Sequence, residues 1–481
     1  MACNIKTESP IVNKPDTPTA ETPNAETPKA KTLDAKAPRA KSSNGKISGL
    51  AARQIALQFL GFVVHNRLTF DDALLKIQTQ TNWAKLSDRD QAFVRNLIIT
   101  SLRHYTKIEY FIKLYMKKTL PRKAYLAHYI LVLGAAQLLY LETPPHAAIS
   151  LSLHLADTND AKHFKKLINA ILGKVNREQD KLRFLTLTAH QMLPNWLADK
   201  WTDYYGETIT LQLAHAMSEP PKMDLTVKSN AAEWAKKLDA TQIGDATIRL
   251  NQRQSFTKLD GYEDGEFWAQ DAAAAIATQL FDDVKGQPVL DFCAAPGGKT
   301  MQLANLGAEV TAVDINKNRL KRLTENLART KLKAEIVQTD IRKYAPDTPP
   351  THILLDAPCS ATGTLRKHPD ILLLKNLEDI KKLTLIQADL LNKTIDMAAP
   401  NAEIIYAVCS LEPEEGEKQI DAILGRRNDV KIEPITMDQL GLIGQTADLK
   451  IAPKGWLRIL PNIADAVGGI DGFFMAKLRK L

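Results

Sequence analysis

The chain has 481 residues, of which 44% are hydrophobic, and 63 Lys and Arg stand against 55 Asp and Glu. That length exceeds one typical domain, and that fraction is ordinary for folded soluble protein with a core in each of two or three domains. Its four cysteines, Cys3, Cys293, Cys359 and Cys409, exclude a disulfide framework at this length. The N-terminus lacks a continuous apolar segment and carries Glu8, Asp16, Glu21, Glu26 and Asp34, which argues against a signal or transit peptide.

The net charge of +8 is unevenly spread: residues 1–46 carry +3, residues 47–187 carry +10 and residues 188–481 carry −5. A basic front beside a near-neutral rear fits either a polyanion partner for the front or a solvated basic surface. Residues 1–46 are an imperfect repeat of Thr, Pro, Ala and Lys with almost no large apolar side chain. Such a tail cannot bury enough surface to offset its chain entropy and is expected to be disordered.

Residues 47–187 read as an all-α domain of about five to seven helices. Ile55, Ala56, Phe59, Leu60 and Val63 form a helical stripe within 51–64. Ser87 stands as a cap before Phe93, Val94, Leu97 and Ile98. The segment 95–118 sets Arg95, Arg103, Lys107, Lys113, Lys117 and Lys118 among apolar residues, and Lys162, Lys165 and Lys166 form a second basic cluster. The longest apolar run, 124–141, contains His128 and Gln137 and reads as a buried helix in preference to a membrane span. Residues 188–260 read as a small α/β module: a helix opened by Pro194, then strands at 224–227 and 246–250 around a helix at 231–238.

From 261 to 481 short apolar strands (288–292, 309–314, 334–338, 351–356, 403–408) alternate with helices (299–306, 317–330, 377–398). Alternation of this kind predicts a doubly wound α/β domain with a mainly parallel sheet, whose ligands sit at the carboxyl ends of the strands. Five features fall there. Asp291-Phe-Cys-Ala-Ala-Pro-Gly-Gly-Lys-Thr300 ends the first strand. Gly297 and Gly298 let the backbone approach a nucleotide-like ligand or merely close a turn, and the spacing is neither a P-loop nor a dinucleotide fingerprint. Asp314 ends the second strand, 16 residues after Gly298, where a carboxylate accepts ribose hydroxyls or caps the next helix. Asp340, after the third strand, accepts from an adenine amino group or caps likewise. Asp356-Ala-Pro-Cys-Ser360 and Ala407-Val-Cys-Ser410 end the fourth and fifth strands. Two cysteines at neighbouring strand ends beside a glycine loop point to thiol chemistry. No Cys-x-x-Cys or paired histidine supports zinc, so no metal is expected.

These motifs resemble those of the RNA cytosine-5 methyltransferases of the Nol1/Nop2/Sun group, over roughly 261–481. Shared features are the Asp-x-Cys-Ala-Ala-Pro-Gly-Gly-Lys loop, Val313-Asp-Ile315, Asp356-Ala-Pro-Cys-Ser-Ala-Thr-Gly363, the second Cys-Ser, Gly265 to Asp271, Arg458-Ile-Leu-Pro461 and Asp471-Gly-Phe-Phe474. The helical part, 47–187, resembles the RNA-binding fold of the antitermination factor N-utilisation substance B. The resemblance implies a Rossmann-like methyltransferase domain that uses S-adenosylmethionine. It assigns Cys293, Ala294, Ala295, Pro296, Gly297, Gly298, Lys299, Asp314, Arg319, Asp340 and Asp356 to the cofactor, Cys409 to the nucleophile and Cys359 to product release. Val408 stands where the family has threonine, and Leu225-Thr-Val-Lys228 where it has Leu-Arg-Val-Asn.

The implied reaction is covalent: a Cys409 thiolate adds to C6 of cytosine, C5 takes the methyl group, and the thiol is then eliminated. Asp356 is expected to hold the cytosine N3 proton or amine, away from the sulfur. An ordinary cysteine is only a few per cent thiolate at neutral pH, so the cofactor's sulfonium charge is expected to help. Arg366, Lys367 and His368 are expected to hold RNA phosphates, or else to be a solvated loop. The partner implied is small-subunit ribosomal RNA, at cytosine 967, with another ribosomal or transfer RNA site or a non-catalytic assembly role as alternatives. No membrane and no protein partner is expected, and the expected state is a cytoplasmic monomer.

Overall fold

The stripe of Ile55, Ala56, Phe59, Leu60 and Val63 is the buried face of a helix at Leu50–Val64. This computed structural model describes residues 49–463 and 468–481, so the expectations for the tail and Cys3 lie outside the described residues. Further helices follow at Phe70–Gln80, Asp88–Arg103, Tyr105–Leu114, Tyr125–Leu139, Pro145–Thr158, Lys165–Arg177 and Gln179–Arg183. They exceed the expected number because the basic stretch 95–118 breaks at His104, whose ring stacks on Tyr140 at 3.7 Å, and because the last is a short five-residue helix. Ser87 caps its helix by accepting from the Asp90 N–H at 3.1 Å. The apolar run is the core helix Tyr125–Leu139. Its buried Gln137 accepts from Arg53 Nε at 2.7 Å, which satisfies a polar group that burial would otherwise penalise. No helix among the described residues is long and apolar enough to cross a membrane.

The helical array does not stop at residue 187. Asn195–Tyr205 and Glu207–Ser218 bury Leu197, Ala198, Trp201 and Leu213 in the same core as the earlier helices, together with Leu365, Leu372 and Leu411 from the rear of the chain. Only then comes a four-stranded antiparallel sheet built from β1 (Asp224–Val227), β2 (Ala240–Gln242), β3 (Thr247–Leu250) and β4 (Phe267–Ala269), in the order β2-β3-β1-β4. Its fourth strand lies beyond residue 260.

The larger sheet contains β5 (Pro288–Phe292), β6 (Glu309–Asp314), β7 (Glu335–Gln338), β8 (His352–Asp356), β9 (Glu403–Val408), β10 (Val430–Glu433), β11 (Leu457–Ile459) and β12 (Phe473–Lys480). Its order is β10-β12-β9-β8-β5-β6-β7, with β11 also on β12. The run β9-β8-β5-β6-β7 is parallel, and β12 joins it antiparallel. Along β9, Ile404, Tyr406 and Val408 enter one apolar cluster and Ile405 and Ala407 another. This is the two-residue alternation of a strand covered on both faces. The chain leaves β5 toward β6 and β7, then returns to β8 on its other side. The crevice at the ends of β5 and β8 is therefore the topological switch point, where ligands bind in such sheets.

The helical array grips the loop after β9. Trp201 Nε1 donates to Glu412 Oε1 at 3.0 Å, Tyr205 donates to the Leu411 carbonyl, and Lys200 pairs with Glu414 at 2.7 Å. Burial raises Glu412 to about 7, against the opposing influence of Trp201 and Lys200. The folded chain therefore favours its protonated form: this contribution to stability is complete below about pH 4.5 and is lost as pH climbs to about 7. Trp201→Phe removes the donor that favours the carboxylate. Its expected cost is about 1–3 kcal/mol, larger at pH 8 than at pH 5, measured by calorimetric melting at both pH values.

Candidate active site

The sharp turn after β5 is made by Cys293, at φ 60°, and Gly297, at φ 106°. The φ of Gly297 requires glycine there, and a Cβ would also lie 2.2 Å from Leu323 Cδ1. The loop is pinned to the second strand, where the Ala295 N–H donates to Asp314 Oδ2 at 3.2 Å. Asp314 Oδ1 accepts from the Asn316 N–H at 2.8 Å. The cap of the helix Lys317–Thr330 is Asn316, which accepts from two backbone N–H groups, so Asp314 is not the capping residue. Each Asp314 oxygen retains acceptor capacity toward a ligand. Arg319 reaches the same place, donating to the Ala295 carbonyl with its Nη1 3.4 Å from Asp314. Asp340 takes the capping role weighed for it: it accepts from the Arg342 N–H at 3.0 Å. The Arg342 guanidinium beside it holds its carboxyl below the usual range.

Asp291, at the root of the loop, is fully buried and accepts from Thr300 Oγ1 at 2.6 Å. Its other oxygen has no donor, and burial lifts its pKa to about 7 against the pull of Thr300 and Lys299. Burial also pushes the Cys293 thiol well above its ordinary value, and Asp356 and Asp314 add to the shift. Cys293 is a neutral thiol at the glycine turn.

Cys359 and Cys409 meet, with their sulfurs 3.4 Å apart. Asp356 is level with Ala407 in the β8–β9 register, so the two Cys-Ser pairs leave the sheet side by side. Lys299 Nζ reaches across to Asp356 at 2.7 Å and lies 5.3 Å from the centre of the Phe473 ring. Burial lowers its pKa, but the Asp356 carboxylate and then Cys409 more than offset this, so the net shift is upward. A charged ammonium thus stands within electrostatic reach of the Cys409 sulfur. Hydrogen bonding to Cys409, then burial, raises the Cys359 thiol well above its ordinary value. Val408 is fully buried on the β9 face that Ile404 and Tyr406 share, whereas Cys409 packs against the opposite cluster. A side chain at 408 points away from the sulfur.

Sequence reasoning missed Glu415, which is fully buried behind the two cysteines. Its Oε1 accepts from the Ser360 N–H and from Gln387 Nε2, both at 2.9 Å, and its Oε2 from the Ser360 and Ser410 hydroxyls. One carboxylate therefore joins both Cys-Ser loops. The repeated Cys-Ser pair was the available signal, since two buried hydroxyls at matching strand ends need a shared acceptor. Other motif residues brace the same loops. The Gly363 N–H donates to the Cys409 carbonyl at 3.0 Å, and a Cβ on Gly363 would meet the Gly472 carbonyl oxygen at 2.0 Å. Arg458 donates to the Ser410 carbonyl and pairs with Glu417.

The phosphate-holding role expected of 366–368 does not survive as an exposed loop. Lys367 is taken up by Asp271 and by Asp471 at 2.8 Å, beside the buried pair Arg249–Asp224 at 2.6 Å. Arg366 is 4% exposed and donates to the Gly468 carbonyl. Of the three, His368 alone is exposed. The physical reason is that the loop packs under the small sheet instead of facing solvent. The acidic cluster Asp282, Glu403 and Glu433, close enough together to hold a metal ion, surrounds Lys477 Nζ at 2.6, 3.6 and 2.9 Å.

Residues 278–479 match the model of the family described as 16S rRNA methyltransferase RsmB/F, and residues 50–177 match the NusB family. The ribosomal RNA small subunit methyltransferase B of Cronobacter sakazakii is 34% identical over 446 residues, covering 89% of this chain and 98% of that protein. The protein of the same name from Shigella flexneri is 33% identical over the same shares. The chain belongs to this methyltransferase family. The fold is also that of a crystal structure of PH0851, at TM-score 0.67 and 20% identity, covering 91% of this chain and all of that one. It is likewise that of NSun6 from Pyrococcus horikoshii with SFG, at TM-score 0.52 and 18% identity, covering 60% and 98%. The family match and these neighbours agree with an all-α front joined to a Rossmann-like domain with a mostly parallel sheet.

Two substitutions test the site's construction. Asp291→Asn keeps an acceptor for Thr300 and removes a carboxyl whose folded pKa is raised. The parent loses that group's stabilisation between about pH 4 and 7, so the variant's melting temperature should gain on the parent's from pH 5 to pH 8. Glu415→Gln places an amide N–H₂ among hydroxyl and amide donors. Methyl transfer is expected to fall at least about 10-fold in kcat, with cofactor affinity held within about twofold. Single-turnover assays and calorimetric titration measure the two.

Proposed function

We propose that this chain transfers a methyl group from S-adenosylmethionine to C5 of a cytosine in small-subunit ribosomal RNA, with Cys409 as nucleophile. The observation that carries this reading is the meeting of Cys359 and Cys409 at 3.4 Å beside the Lys299–Asp356 pair, at the switch point of the sheet. The relatives named above, at about one-third identity, supply the RNA class, and cytosine 967 is the expected target.

The donor set suits the cofactor. Asp314 has acceptor capacity for ribose hydroxyls, the backbone from Cys293 to Gly298 lines the turn, Arg319 borders it, and Asp340 stands after β7. When bound, the cofactor supplies an electrophilic methyl group. The chain's residues do the rest. Cys409 Sγ bonds to C6, and the C5–C6 π electrons make C5 nucleophilic. Asp356, whose side chain is 30% exposed, holds the N3 proton or the exocyclic amine. Lys299 pairs with Asp356 and keeps that carboxylate turned from the sulfur. After methylation a base takes the C5 proton, the C5–H electron pair re-forms the ring double bond, and the C6–S bond breaks with its electron pair returning to sulfur. Cys359, in contact with Cys409, assists that release. The target base must leave its stack at a cost of about a few kcal/mol, so a loop is a cheaper substrate than a duplex. Within 47–187, exposed Lys117, Lys118, Lys162 and Lys166 supply charge toward RNA, with binding that weakens as salt rises.

The test is incubation of the parent, Cys409→Ala and Cys359→Ala with labelled S-adenosylmethionine and unmodified small-subunit RNA, with 5-methylcytosine mapped by sequencing. The expected result is one labelled cytosine with the parent, none with Cys409→Ala, and an RNA adduct that survives denaturing gels with Cys359→Ala. Failure of the parent to label this RNA or transfer RNA would leave the non-catalytic assembly role.

A further inference from the structure

A cavity of about 740 Å³ lies where the helical array, the small sheet and the segment leaving Cys359 converge. Arg103 reaches it from the end of its helix, Lys222 from the approach to β1, Arg253 from the loop after β3, and Arg366 from the segment beyond Cys359. Two carboxylates also line it, Asp224 and Asp271, but Arg249 and Lys367 already pair with them. Positive charge is therefore in excess there.

The arginines also carry unused donors. Arg103 Nη2 donates to the Arg366 carbonyl at 2.8 Å, and its Nε is buried without an acceptor. Arg366 Nη2 donates to the Gly468 carbonyl at 2.8 Å, and its Nε likewise has no acceptor. A Cβ on Gly469 would lie 2.3 Å from Arg366 Nη1, so the guanidinium lies directly against that backbone. Arg253 is exposed and has no ion pair or hydrogen bond among the described residues. Burial and then the nearby charges of Arg253 and Arg366 together lower Arg103 to about 10, with Glu219 opposing. Native proteins seldom leave buried N–H groups unpaired or crowd like charges without a counter-ion. An oxyanion in the cavity answers the crowding of like charge among Arg103, Arg253 and Arg366.

We propose that Arg103, Arg253 and Arg366 form a binding pocket for a phosphate of the RNA backbone, with Lys222 at its side. The proposal rests on the RNA-methylating reading above and adds where the backbone is held. It restores Arg366 as a phosphate ligand in a different setting from the exposed loop expected of the sequence, and it leaves Lys367 to the ion-pair network. A phosphate there would bridge the helical array, the small sheet and the catalytic loops, fixing the RNA relative to Cys409.

Arg253→Glu tests this without touching the core, with Arg253→Lys as the conservative variant and Lys382→Glu, an exposed lysine on the helix Leu377–Met397, as control. The readout is affinity for a small-subunit RNA fragment across a salt series, by fluorescence anisotropy, with methylation of the same RNA alongside. Arg253→Glu should weaken binding about 10-fold and reduce the salt slope by about one. Arg253→Lys should retain most of the affinity, and melting temperature and cofactor affinity should not move. Unchanged affinity and slope in Arg253→Glu would overturn the proposal. So would an Arg253-dependent binding of inorganic phosphate with no effect on RNA. If the parent binds RNA through Arg253 yet methylates no cytosine, the enzymatic reading falls and the pocket stands. If the parent methylates its cytosine and Arg253→Glu does so equally well with unchanged affinity, the pocket falls and the enzymatic reading stands.

Discussion

The arrangement of the two cysteines depends on one buried carboxylate. Glu415 receives hydrogen bonds from a backbone N–H, an amide and two hydroxyls, and the hydroxyls belong to the serines that follow Cys359 and Cys409. A charge at such depth is tolerable only when its lone pairs are met. That condition is satisfied only when both loops are in place together. The contact between the sulfurs follows from it, since each sulfur is one residue away from an anchored serine. The Tyr406 hydroxyl extends the network into β9 by donating to the Glu415 carbonyl at 2.7 Å.

Around this anchor the separate parts of the chain are built as one. Leu365, Leu372 and Leu411 sit in the same apolar core as the front helices, and residues 48–481 form a single unit. The loop that carries Glu412, Glu414 and Glu415 is held from the front by Trp201, Tyr205 and Lys200 and from behind by Arg458.

The three thiols have different surroundings. Cys293 and Cys359 are pushed toward the neutral form. Cys409 has the Lys299 ammonium in reach, and that charge is itself stabilised by Asp356. The valine at 408 faces away from the Cys409 sulfur because neighbouring strand positions point to opposite sides of the sheet.

Much was legible in the sequence. The bounds of β5, β6, β9 and the helix Lys317–Thr330 follow from local apolar periodicity and turn residues, because those signals act over a few residues. The glycine turn and the two Cys-Ser pairs were visible for the same reason, and the parallel register then brings the pairs together. Tertiary structure alone decided the partners of charged side chains. Lys367 looks like a loop cation until Asp271 and Asp471 close on it from distant segments, and Arg249 finds Asp224 across two strands. Glu415 looks like one of several surface acids between Glu412 and Glu417, and only its burial against Gln387 and two serines makes it structural. Helix and strand are written in neighbouring residues, whereas the burial and pairing of a charge depend on groups brought close by the fold.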